Sequence, residues 1–160
     1  MATETKLRQL ADKGCPVYYF YSSERYLVRQ AVAAATRILT ADSDEDATVL
    51  DGAAPEIEQL IMAAGTISFF GTRRVVVLPE IDPAAYSDKD LEELNSTLSS
   101  LENAVVVLGS VFELERSKLK TGKRAQKLIA QCKALGYTEE LAKPKPFELK
   151  MMMIDRAKEQ

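Results

Sequence analysis

The sequence predicts an α/β protein whose parallel sheet is flanked by helices on both faces. Two observations predict it. Short β-rich runs alternate along the chain with stretches of helical periodicity, the pattern of strands joined by crossover helices. Two of the runs, "RRVVVLPE" (73–80) and "NAVVVLGSV" (103–111), are continuously apolar, and a strand apolar on both faces is one covered on both faces. At 160 residues, 46% of them hydrophobic and 28% charged, the chain has the composition of a soluble globular protein and the length to bury a substantial core.

The elements follow in order. "PVYYFYS" (16–22), bounded by Gly14 and by Ser22-Ser23, is aromatic and β-rich and reads as a buried first strand. A helix follows, with Ser23 placed to cap it, Glu24 in its first turn, and Leu27, Val28, Ala31, Ala34, Ala35, Ile38 and Leu39 on one face. "DSDED" is an acidic turn before a short second strand, "ATVLDG". From Pro55 a second helix carries Ile57, Leu60, Ile61 and Ala64 at helical spacing and stops at Gly65. The third strand, 73–80, leads through the loop "IDPAAYSD" to a helix striped with Leu91, Leu94, Leu98 and Leu101. The fourth strand, 103–111, is followed by a lysine-rich helix from about Ser117 to Leu135, with Leu119, Leu128, Ile129, Cys132 and Leu135 inward. "GYTEEL" supplies a short fifth strand. The "AKPKP" stretch (142–146) reads as a linker, so the chain divides into a domain at 1–141 and a segment at 142–160. That segment begins one more helix, whose Phe147, Met151, Met152 and Ile154 have no covering partner. The chain is therefore expected to be the N-terminal portion of a longer protein.

Composition excludes much chemistry. The chain has no histidine, which removes the Ser-His-Asp and Cys-His nucleophile systems and the usual zinc ligands. Cys15 and Cys132 are far apart with no C-x-x-C pair, and are expected to be reduced, half-buried thiols. The N-terminus has no signal-peptide core and no segment approaches the length of a membrane span, so a cytoplasmic location is expected. With a formal net charge of -3, any nucleic-acid contact must come from a local patch.

In a sheet of this kind the natural ligand site is the turn after the first strand. A P-loop there needs G-x-x-x-x-G-K-[ST], but "YSSERYLVR" has no glycine and no lysine, and Glu24 stands where a phosphate would lie. The turn is either an ordinary helix start or an unfamiliar nucleotide-binding mode. Glu80 and Asp82 after the third strand echo a metal-binding acid, a pattern that is more often a polar exit from the sheet.

"TISFFGTRR" places Phe69 and Phe70 just before the third strand. Burying one Phe contributes about 1.5–3 kcal/mol, so two left in water forgo a sizeable part of a domain's stability. Either the pair joins the core, or the punctuation by Gly65, Ser68 and Gly71 makes a protruding turn whose aromatics anchor in a partner's pocket.

Three blocks in order, "PVYYFYSSERYLVRQAV", "LDGAAPEIEQLIMAAGTISFFGTRRVVVLPEID" and "LENAVVVLGSV", resemble the N-terminal region of the delta subunit of bacterial DNA polymerase III, the clamp-loader subunit that opens the sliding clamp. "AAGTISFFGTRRVVVL" is the most specific part of a resemblance that covers essentially the whole chain. It implies an AAA+-like (P-loop NTPase-like) fold without a functional phosphate loop, followed by the first helix of a helical lid domain. It also implies a hydrophobic wedge that enters a pocket on the clamp. Ile67, Phe69 and Phe70 match that wedge, at positions where the family often has Met or Leu for Ile67 and Phe69, and Arg73 matches a supporting basic residue. The implied partners are the sliding clamp (beta subunit), the other clamp-loader subunits and, in the full assembly, primed DNA, with no membrane. No catalytic residue, cofactor or metal is implied, since nucleotide belongs to other loader subunits.

Arg116, Lys118, Lys120, Lys123, Arg124 and Lys127 form the one dense positive cluster. They read either as a solvated helix face or as a contact with template phosphates or a neighbouring acidic subunit. Two rival functions stand beside the clamp-loader reading: a nucleotide-dependent P-loop-like enzyme with a degenerate phosphate loop, and a stand-alone nucleic-acid-binding domain.

Overall fold

The computed structural model describes residues 4–41, 46–65 and 73–142. In chain order these form α1 (Glu4–Asp12), β1 (Val17–Ser22), α2 (Arg25–Thr40), β2 (Thr48–Val49), α3 (Ile57–Gly65), β3 (Arg74–Leu78), a 3-10 turn (Pro83–Ala85), α4 (Asp88–Ser99), β4 (Ala104–Val111), β5 (Leu114–Glu115), β6 (Lys118–Leu119), α5 (Gly122–Leu135) and β7 (Tyr137–Glu140). Five strands make one sheet in the order β2-β3-β4-β1-β7, and every neighbouring pair is parallel. The predicted fold class is what the chain adopts.

Strand alternation sorts the core into two layers. Val17, Val106 and Val76 lie side by side across β1, β4 and β3, all at 0% exposure, and with Tyr19, Leu78 and Leu108 they face α3, α4 and α5 through Leu60, Leu94, Leu98, Leu128 and Cys132. The alternate residues Tyr18, Phe20, Val75, Val77, Val105 and Val107 face the other way, onto Leu7 of α1 and Val28, Ala31, Val32 and Ala35 of α2. Helices on both faces are what the unbroken valine runs require, because neither face could be left to water.

Several local expectations are corrected. Residues 117–121 are not helical: β5 and β6 pair antiparallel as a hairpin, Leu114 opposite Leu119, and α5 begins only at Gly122. Arg116 and Ser117 take left-handed φ values of 52° and 67°, which no α-helix accommodates. Ser23 does not cap α2. Glu24 occupies the cap position with extended backbone and no side-chain cap bond, while Ser22 Oγ accepts the Glu24 N–H at 3.1 Å. Val32 is among the buried residues of α2, whereas Leu27, Ala34, Ile38 and Leu39 lie at the rim of the core. Ile61 is turned outward from α3, and Cys132 is fully buried rather than half-buried. The helix α1, which sequence periodicity did not reveal, packs Leu7 against the layer under α2, holds Lys6 over the Tyr137 ring and pairs Glu4 with Arg37. Most of the acidic turn at 42–46, the residues Ile67, Phe69 and Phe70, and the linker and final helix beyond Ala142 lie outside the described residues.

Candidate functional site

All five strands of the sheet run the same way, so the molecule has a carboxyl end, where such sheets take ligands, and an amino end. At the carboxyl end, a chain of buried hydrogen bonds ties three strands together. Ser110 Oγ donates to the Ile81 carbonyl at 2.8 Å, which leaves the Tyr19 hydroxyl to donate to Ser110 Oγ at 2.7 Å. Burial pushes the Tyr19 hydroxyl far above its ordinary range, so it keeps its proton and remains a donor. Backbone bonds close the same end: the N–H groups of Ile81, Phe112 and Leu141 donate to the carbonyls of Gly109, Ser22 and Tyr21. Chain leaving β3 passes tightly over β4, for a Cβ on Gly109 would lie 2.4 Å from the Pro79 carbonyl oxygen.

Across this floor, Arg25 at the start of α2 donates through Nε to Glu80 Oε1 at 2.6 Å, joining residues 55 apart in sequence. Asp82, the other carboxylate singled out from the sequence, accepts the Ala84 N–H at 3.0 Å and caps the 3-10 turn. A phosphate brought to the turn after β1 would thus meet the carboxylates of Glu24 and Glu80. The Arg25 guanidinium is engaged by Glu80, and the Glu24 N–H is directed at Ser22 Oγ. A phosphate cradle needs the reverse arrangement, converging free N–H donors on glycines. Among the described residues, no group of three or more His, Cys, Asp or Glu side chains could hold a metal ion.

The amino end carries Arg73. Its Nη2 donates to the Ala104 carbonyl at 3.4 Å, and its Nη1 lies 3.7 Å from where a Cβ on Gly14 would stand; Gly14 itself has φ +78°, which favours glycine. Next to it the half-buried Cys15 donates to the Val17 carbonyl; burial raises its thiol, and the Arg73 charge pulls weakly the other way. Arg74 N–H donates to the Asn103 carbonyl at 2.8 Å, so two bonds tie the entry to β3 to the start of β4. At the other end of the intervening segment, α3 runs to Gly65 and turns two apolar side chains to solvent, Ile61 at 51% and Met62 at 72%. Sequence periodicity had placed Ile61 inward. The exposure of Met62 was missed, and its only sequence signal was its place one residue off the Ile57, Leu60, Ala64 stripe.

The basic cluster divides between two elements. Arg116 is at the hairpin turn, Lys118 in β6, Lys120 just after it, and Lys123, Arg124 and Lys127 on α5. Arg124 serves the fold, donating to Asp88 Oδ1 at 3.0 Å and to the Ala84 carbonyl at 3.4 Å. The rest are exposed. Among the described residues no helix is long and apolar enough to cross a membrane.

No protein-family model and no curated protein sequence matches the chain. Among solved structures, the chain is similar to the crystal structure of a DNA polymerase III gamma subunit-related protein from Thermotoga maritima, with a TM-score of 0.62 and 15% sequence identity. The match covers 91% of this chain and 48% of that one, so this chain spans about half the length of its structural relative. At that identity the likeness is one of fold.

Proposed function

We propose that the chain is the clamp-binding part of a clamp-loader delta-type subunit of DNA polymerase III. In this reading residues 1–141 are an AAA+-like domain, and 142–160 are a linker and the start of a helical lid. The domain grips the sliding clamp through Ile67, Phe69 and Phe70, with Arg73 in support, and favours the opened ring. It does so without catalysis of its own.

The observation that carries the reading is the frame around residues 66–72. Arg73 and Arg74 are pinned at the amino end of β3, and α3, which leads into the segment, already turns Ile61 and Met62 outward. An apolar surface of this kind beside a fixed entry point suits insertion into a hydrophobic pocket, where a rigid scaffold limits the entropy lost on binding. The self-engaged Arg25–Glu80 pair at the opposite end supports a role that does not use nucleotide. Opening then follows from differential binding: the contacts must be better in the opened clamp than in the closed one, or the equilibrium does not move.

The test is a pull-down of a bacterial sliding clamp with the parent chain and with Phe69→Ala/Phe70→Ala. Clamp capture should be lost while the melting transition stays within a few degrees of the parent. A collapse of the fold in the double variant would place the two rings in the core and remove the wedge. Titration with Mg-ATP should give no heat of specific binding; saturable heat would favour the nucleotide-dependent enzyme.

A further inference from the structure

Beyond the clamp reading, and independent of it, we infer that the β5–β6 hairpin and the first turns of α5 form a docking surface for an acidic, partly apolar face of another protein. The chain as a whole has a formal net charge of -3, yet residues 113–127 hold six cations against two carboxylates. Arg116, Lys118, Lys120, Lys123 and Lys127 are exposed, and none of them forms an ion pair among the described residues. Exposed cations without an ion-pair partner, on a chain whose net charge is negative, are complemented by an acidic surface.

The hairpin has two unlike faces. Leu114 pairs across it with Leu119, and Glu115 with Lys118, so alternation sets an aliphatic pair on one side and a charged pair on the other. Leu114 is 58% exposed. The turn between them is made by Arg116 and Ser117 in left-handed conformation, which glycine and asparagine adopt far more readily than arginine or serine. Strain of this kind is concentrated at functional positions, and here it holds Arg116 at the tip.

The same features select protein over nucleic acid. No aromatic residue between 113 and 127 could stack on a base. An exposed leucine beside lysines is matched by a protein surface that sets carboxylates around an apolar spot.

The full chain would be titrated, by fluorescence anisotropy, into a labelled peptide of alternating glutamates and leucines, and separately into a labelled oligothymidylate and a DNA duplex. The peptide should bind with an affinity that falls as salt rises. Lys118→Glu with Lys123→Glu should weaken it about tenfold, and the neutral pair Lys118→Gln with Lys123→Gln by less. Leu114→Ser should weaken it severalfold without changing the salt dependence. Circular dichroism of each variant should match the parent. The inference is overturned if the peptide fails to bind, if the substitutions leave its binding unchanged, or if either nucleic acid binds more tightly at the same salt. It is equally overturned if the face proves to join two copies of this chain, seen as self-association that the charge reversals abolish.

Discussion

Replacing Gly109 by alanine tests how firmly the carboxyl end of the sheet is built. A Cβ at this position would stand 2.4 Å from the Pro79 carbonyl oxygen, 2.8 Å from Val28 Cγ1 and 3.0 Å from Val32 Cγ2. The valines could turn or shift, but the carbonyl is held, because Ile81 N–H donates to the Gly109 carbonyl at 2.9 Å and Ser110 Oγ donates to that of Ile81. Relief must come from moving the exit of β3 away from β4, which strains those hydrogen bonds and draws Glu80 off Arg25. Overpacking a tight core costs about 1–3 kcal/mol, and a fixed backbone neighbour puts this case in the upper half of that range. For a domain of this size about 2–3 kcal/mol corresponds to a fall of about 5–10 °C in Tm. Thermal melts followed by circular dichroism would read it, with Gly65→Ala as the comparison. A Cβ on Gly65 meets nothing within 4 Å, so that variant should melt at or slightly above the parent temperature. If Gly109→Ala melts within about a degree of the parent, the close approach of β3's exit to β4 is wrong.

Two further outcomes follow from the same geometry. Arg25 and Glu80 are 57% and 42% exposed, so solvent screens their pair; Arg25→Ala should lower the unfolding free energy by no more than about 1 kcal/mol in urea titrations, and a larger loss would mean that the pair braces the fold. Burial raises the Cys132 thiol from the ordinary 9.0 to about 12. The unfolded chain therefore releases this proton first, so the stability it contributes is whole below pH 9 and is lost as pH rises toward 12. Between pH 9 and 10 the loss should be about 1 kcal/mol, with Tyr86, itself raised from 10.0 to about 12 by burial, adding to it above pH 10. Cys132→Ala should flatten the first part of that decline, and an unchanged slope would show that another group titrates there.

The strands were the legible part of the fold because their signal is local. A run such as Val75, Val76, Val77 and Leu78 is tolerable only where both faces are covered, and that requirement alone implies crossover helices and a parallel sheet. The leucine stripe of α4 was equally plain, since Leu91, Leu94 and Leu98 are all buried as their spacing demands. The hairpin at 114–119 was not legible. Its turn is made by arginine and serine in a conformation that sequence normally marks with glycine or asparagine, and the lysines around it suit a solvated helix equally well. The short α1 buries one residue, Leu7, and its place depends on the surface that α2 offers it.

For the site, residue types set what the turn after β1 lacks: no glycine to bring backbone close to a phosphate and no lysine to meet its charge. Which groups stand there instead was decided only on folding. Arg25 and Glu80 are far apart along the chain and meet because parallel order carries the ends of β1 and β3 to the same edge. Tyr19, Ser110 and Ile81 form their chain of hydrogen bonds for the same reason. Periodicity reports which face of an element is apolar. It does not report which distant element will cover that face, and so the depth of Cys132 and the outward turn of Ile61 belong to the packed structure alone.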